Sequence, residues 1–91
     1  MKAVHLLIEG RVQGVGFRAW VKSQARRRGL TGYVRNRWDG SVEAVLCGED
    51  AVVDDVTIAC DHGPRLAAVH KVTREPATPE SWSGFSVWPT A

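Results

Sequence analysis

The residues best suited to chemistry form one run, Glu9-Gly10-Arg11-Val12-Gln13-Gly14-Val15-Gly16-Phe17-Arg18. Its closely spaced glycines let the backbone turn tightly, so that several N–H groups point into one concavity. Such a nest at the head of a helix attracts an anion. Arg18 falls in the first turn of the helical pattern that follows, where its charge faces the positive end of the helix dipole. That placement costs roughly 0.3–1 kcal/mol unless an anion lies between the two. The stretch therefore reads as a cradle for phosphate or carboxylate.

Other chemistries compete for the same residues. Gly14-Val-Gly16-Phe-Arg-Ala19 also fits G-x-G-x-x-A between a strand and a helix, a dinucleotide fingerprint. Against it, the next strand enters a hairpin rather than a second helix, and 91 residues are too few for a doubly wound sheet. A Walker A loop is excluded because no Gly-Lys-Ser/Thr occurs. The plainest alternative is a tight strand-to-helix turn with Arg18 as a solvated helix residue.

The cradle has to be positioned by the elements around it. Residues 2–9 alternate, with Val4, Leu6 and Ile8 on one face and Ala3, His5 and Leu7 on the other, the pattern of a strand with one buried side. Phe17, Trp20, Val21 and Ala25 form one stripe of a helix, which Gly29 is suited to stop. Arg26, Arg27 and Arg28 lie in its last turn, where the dipole favours cations. From Leu30 to Trp38 a strand places Val34, Asn36 and Trp38 on one face and Tyr33, Arg35 and Arg37 on the other. Asp39-Gly40 signals a two-residue hairpin loop, and alternation resumes from Ser41 to Cys47.

A second helix is expected after Gly48, with Val52, Val56 and Cys60 on its apolar face. Its acidic residues Glu49, Asp50, Asp54 and Asp55 lie towards the N-terminal half, β-branched Thr57 and Ile58 weaken it, and Gly63-Pro64 ends it. Ala67 to Glu75 reads as a strand, Pro76 to Ser83 as a loop, and Phe85 to Trp88 as a short last strand closed by Pro89. This order predicts an α+β fold, a ferredoxin-like βαββαβ sandwich with two helices on one face of an antiparallel sheet, plus a short C-terminal strand. In that arrangement the first two strands run parallel, with the third antiparallel between them. The glycine loop and Asn36 then meet at one end of the sheet.

Bulk composition narrows the function classes. The length suits one domain spanning residues 1–91, and 44% hydrophobic with 24% charged residues is the balance of a soluble globule. A net charge of +2 gives no general affinity for nucleic acid or membrane. Arg26, Arg27, Arg28, Arg35 and Arg37 could form a basic patch, but an RNA-recognition sheet wants aromatics where this chain has Leu7, Ala44 and Val45. Cys47 and Cys60 lack C-x-x-C spacing, and His5, His62 and His70 sit on separate elements, so no metal site is expected. With no signal peptide and no 18-residue apolar run, the expected location is the cytoplasm, with both thiols free. Trp20 is expected in the core, Trp38 beside the site, and Trp82 and Trp88 as anchors of the C-terminal segment.

Two stretches carry a family resemblance. Gly10-Arg-Val-Gln-Gly-Val-Gly-Phe-Arg18 and Gly32-Tyr-Val-Arg-Asn36-Arg-Trp-Asp-Gly40-Ser-Val-Glu43 resemble the two signatures of the acylphosphatase family. Gly63-Pro64, the strand with Ala68, Val69 and Val72, and Gly84-Phe85 extend the resemblance over essentially the whole chain. The tail Trp88-Pro89-Thr90-Ala91 departs from many members, which end in a short strand with an aromatic close to the terminus. The resemblance implies hydrolysis of small acyl phosphates to carboxylate and inorganic phosphate by a monomer, without metal or cofactor. It also implies that Arg18 and the backbone N–H groups of Gln13, Gly14, Val15, Gly16, Phe17 and Arg18 bind the phosphoryl oxygens, and that Asn36 positions the attacking water. No nucleic acid or membrane partner is implied. The alternatives are a binding module of the same fold that holds phosphate without turning it over, or the related module at the front of hydrogenase-maturation carbamoyltransferases. A chain stopping at Ala91 without a cysteine-rich zinc segment favours the free-standing enzyme.

Overall fold

In a computed structural model that describes residues 1–91, the alternating sequences become the two unlike faces of one sheet. The elements in chain order are β1 (Lys2–Arg11), α1 (Phe17–Arg27), β2 (Thr31–Asn36), β3 (Val42–Gly48), α2 (Asp50–Ala59), β4 (Ala68–Ala77) and β5 (Phe85–Val87). Val4, Leu6 and Ile8 of β1 join Val34 of β2 and Val42, Ala44 and Leu46 of β3 in a single buried cluster with the helices. The helices supply Phe17, Val21 and Ala25 from α1, and Val53 and Val56 from α2, with Cys60 just beyond. Side chains of a strand alternate between faces, so the helices cover one side of the sheet only.

The strand order is β4-β1-β3-β2-β5. β3 runs antiparallel to both β1 and β2, so these two run parallel and finish at the same end of the sheet, as the sequence predicts. The sheet is nonetheless mixed, because β5 pairs parallel with β2. The reason is topological. β4 runs against β1, and a chain that reverses once after β4 must return running with β2.

Other departures are local. The β2–β3 loop has three residues, Trp38-Asp39-Gly40, rather than two: Arg37 N–H donates to Ser41 and Gly40 N–H closes back on Arg37. Asp39 holds the extra residue by accepting from the Ser41 N–H at 2.9 Å and hydroxyl at 2.6 Å. That arrangement is the type I turn with a following bulge, in which Trp38 is left 84% exposed. On α2 the buried stripe includes Val53 and Thr57, with Val52 only half-buried. Thr57 is accommodated because its hydroxyl donates to the Val53 carbonyl at 2.7 Å. β4 continues through Pro76 to Ala77, two residues past the expected end, which an edge strand tolerates.

The open face of the sheet carries aromatics and a polar cluster. Tyr33 and Trp88 stack with ring centroids 3.7 Å apart and planes 1° from parallel, and Trp82 packs beside both. Such a pair adds about 0.5–1.5 kcal/mol beyond its buried area. Both tryptophans thus anchor the C-terminal segment, while Trp20 lies half-buried, edge-on to Phe17. The tail then runs on along β2: Trp88 N–H donates to Val34, Ala91 N–H donates to Asn36, and Trp38 N–H donates to Ala91.

Candidate functional site

The loop between β1 and α1 is built from both ends. A bulge at Glu9/Gly10 breaks the register of β1 against β4, and buried Val12 pins the chain to the core just before the loop. Gly14 and Gly16 take φ of 72° and 80°, left-handed angles that side chains rarely adopt. A Cβ at either position would meet nothing within 4 Å, so the requirement is the backbone angle rather than space. Gly16 is also the N-cap of α1, and no side chain caps the helix there. The first N–H groups of a helix have no partner within it, and here they stay available to a ligand.

A cleft of roughly 340 Å³ opens over this loop. Gly14, Gly16, Phe17, Arg18 and Asn36 line it, so the topology does bring the two expected segments together. Gln13 and Val15 do not line it. The Gln13 amide is turned to the hairpin, donating to the carbonyls of Arg37 at 2.7 Å and Ser41 at 2.9 Å. Val15 packs against the core and borders a separate depression with Pro64, Arg65 and Leu66. Four further residues line the cleft that sequence reasoning passed over, Val12, Ala19, Lys22 and Val87. Lys22 was within reach of it: residues four apart share a helix face, and Arg18 had already marked that face.

The electrostatics are one-sided. Two cations line the cleft and no carboxylate does, and α1 contains no acidic residue. The guanidinium of Arg18 makes no hydrogen bond or ion pair with the protein, whereas Arg28, Arg35 and Arg74 are each bonded to a carboxylate. Asn36 presents the complementary feature. Its Oδ1 is buried and has no hydrogen-bond partner. A buried acceptor left unpaired costs about 1–3 kcal/mol, which a bound donor would relieve.

On the opposite face of β2, Glu43 fastens β3 to its neighbours. Its carboxylate accepts from His5 Nε2 at 2.6 Å, from Arg35 Nε, and from the Tyr33 hydroxyl at 3.4 Å. Burial alone would raise the Glu43 carboxyl, but the hydrogen bonds from His5 and Arg35 outweigh it and hold the group below its ordinary range. Arg35 directly precedes Asn36, so this cluster fixes the strand from which Asn36 enters the cleft.

Comparison with known proteins bears directly on this arrangement. The profile of the Acylphosphatase family matches residues 4–87. The chain belongs to the acylphosphatase family. Among its relatives, the acylphosphatase of Acidiphilium cryptum is 47% identical over 85 residues, which is 93% of each chain. Of solved structures, the acylphosphatase from Bacillus subtilis superposes with a TM-score of 0.93 at 32% identity, covering 97% of this chain and 99% of that one. An acylphosphatase from Coxiella burnetii gives 0.92 at 39% identity, covering 96% and 92%. The family's reaction is the hydrolysis of acyl phosphates, and the chain is an enzyme that cleaves this mixed acid anhydride to a carboxylate and inorganic phosphate. For an acylphosphatase, a cleft with uncompensated positive charge over a glycine nest is the expected complement to a phosphoryl group.

Proposed function

We propose that the reaction proceeds without a metal ion, with the phosphoryl group held by Arg18 and the loop N–H groups from Gln13 to Arg18, and the attacking water held by Asn36. The observation that carries this is that one cleft is lined both by Arg18, whose guanidinium is unpaired, and by Asn36, whose buried amide oxygen is unpaired. The guanidinium and the nest are donors for the equatorial oxygens, where charge is spread in the transition state. Arg binds two of those oxygens at once in a fixed fork. The Asn36 Oδ1 accepts a hydrogen bond from water and directs its lone pair at phosphorus.

Charge and proton bookkeeping fits this set of residues. Water oxygen bonds to phosphorus as the bond from phosphorus to the acyl oxygen breaks, and that bond's electron pair leaves on the carboxylate. Carboxylates have pKa values of about 4, so no general acid is needed to expel one. An amide is too weak a base to take the proton of water, which passes instead to a phosphoryl oxygen. Neither cysteine takes part: both are buried, and burial pushes the Cys60 thiol up to about 12.

The same reading makes residues 1–91 one unit acting as a monomer in the cytoplasm, since one chain supplies every residue assigned a role. Nucleic acid is no partner in it, because Arg28, Arg35 and Arg37 face Asp55, Glu43 and Asp39. The test is hydrolysis of benzoyl phosphate by the wild type, Arg18→Ala and Asn36→Ala in the presence of a chelator. Full wild-type activity is expected, with Arg18→Ala reduced by at least the ~10²–10³-fold typical of one lost oxyanion donor. Activity lost on chelation would sink the metal-free reading, and variants as active as the wild type would sink the residue assignment.

A further inference from the structure

Lys22 is the one charged group of the cleft that the hydrolysis does not use. It stands four residues after Arg18 on α1, on the same helix face and about 6 Å further along the axis. Lys2, Arg28, Arg35, Arg37 and Arg74 each face a carboxylate of the chain. Lys22 faces none and makes no hydrogen bond, although it is half-buried. Two cations at this spacing repel each other, and a helix without an acidic residue gives neither any relief.

The placement becomes purposeful once the substrate is divided between the walls. The phosphoryl group takes the nest and Arg18, and the water takes Asn36. What is left for the acyl half is Val12, Ala19, Lys22 and Val87: three small apolar side chains and one ammonium. A small apolar spacer ending in an anion matches that wall in chemistry, and Lys22 lies one helical turn beyond Arg18.

We propose that Lys22 makes this acylphosphatase favour acyl phosphates whose acyl half carries a second anionic group, such as the monophosphate of a dicarboxylic acid. The inference rests on the placement of the phosphoryl group at Arg18. Lys22 acts on specificity and takes no part in bond breaking. Its ammonium is a compact charge on a flexible stem, suited to meeting a carboxylate at the end of a short chain.

The experiment compares kcat/KM for succinyl phosphate and benzoyl phosphate in the wild type, Lys22→Gln and Lys22→Arg. Lys22→Gln is expected to lower the succinyl-to-benzoyl ratio about three- to fivefold, the effect of one half-exposed ion pair, chiefly through KM for succinyl phosphate. Lys22→Arg should restore the ratio to within about twofold of the wild type, and the difference should shrink as salt is raised. An unchanged ratio in Lys22→Gln, or a parallel fall for both substrates, would overturn the proposal. A wild type that hydrolyses neither substrate would overturn the underlying site reading, and this inference with it.

Discussion

Gln13 and Arg37 join the two halves of the site: the Gln13 side-chain nitrogen donates to the Arg37 carbonyl at 2.7 Å, although 24 residues separate them. The same nitrogen reaches the Ser41 carbonyl at 2.9 Å, so one amide bridges both sides of the β2–β3 hairpin. The glycine loop and the strand that brings Asn36 to the cleft are thereby held in one frame. Replacing Gln13 by Leu keeps the volume and removes the bridge. Stability should fall by about 1 kcal/mol, the net worth of such bonds. kcat/KM should fall much further, about tenfold or more, because displacement of a positioned group by about 1 Å costs up to ~10²-fold. Denaturant unfolding and initial rates on the same preparation separate the two effects, and a rate loss no larger than the stability loss would contradict the bridging role.

Asn36 should behave in the opposite sense. Its Oδ1 is buried and unpaired, so on the proposed mechanism the residue would serve catalysis at the expense of the fold. Asn36→Ala is expected to lower kcat about 100-fold, in the range of a lost oxyanion-hole donor. The melting temperature should stay within about 2 °C of the wild type or rise, since removing an unsatisfied polar group relieves its desolvation cost. Calorimetry decides: a marked drop would mean that the side chain is structurally engaged after all.

Glu43 gives the fold a dependence on pH. Its carboxyl is held below the ordinary glutamate value of 4.5, so the unfolded chain binds its proton more readily than the folded one. The stabilisation is therefore fully present above about pH 4.5 and is lost as pH falls through the lower, folded value. Glu43→Gln should cost about 1–3 kcal/mol at pH 7, as for a broken hydrogen bond to a charged group. At pH 3 the gap between variant and wild type should narrow. Urea midpoints at the two pH values measure it, and an equal gap at both would remove Glu43 as the titrating group.

Much of this molecule was legible because its signals are local. The alternation of Val4, Leu6 and Ile8 set the buried face of β1, and the Phe17, Val21 and Ala25 stripe set α1. Gly14, Gly16 and Arg18 marked a loop that does line the cleft, and strand order brought Asn36 to the same cleft. What escaped depends on partners remote in sequence. Nothing near Phe85 reveals that β5 will run parallel to β2, nor near Ala91 that its N–H will pair with the Asn36 carbonyl. Gln13 was expected to offer its backbone to the ligand, and no local signal shows its side chain committed to the hairpin. On α2 the expected stripe held at Val56 and Cys60 and missed only at Val52, because Val53 beside it is equally apolar and periodicity alone does not choose.

The pairing of β1 has a consequence in time. Its neighbours are β3 and β4, the latter joining Ala3 to Ala77 across most of the chain. Contacts so distant in sequence form slowly, because the intervening chain must lose its freedom before the pairing repays it. The loop that lines the cleft springs from the end of that strand, so it is set in place only when the sheet closes. On dilution from denaturant, hydrolysis should return at the rate at which the sheet closes, making activity a clock for that event.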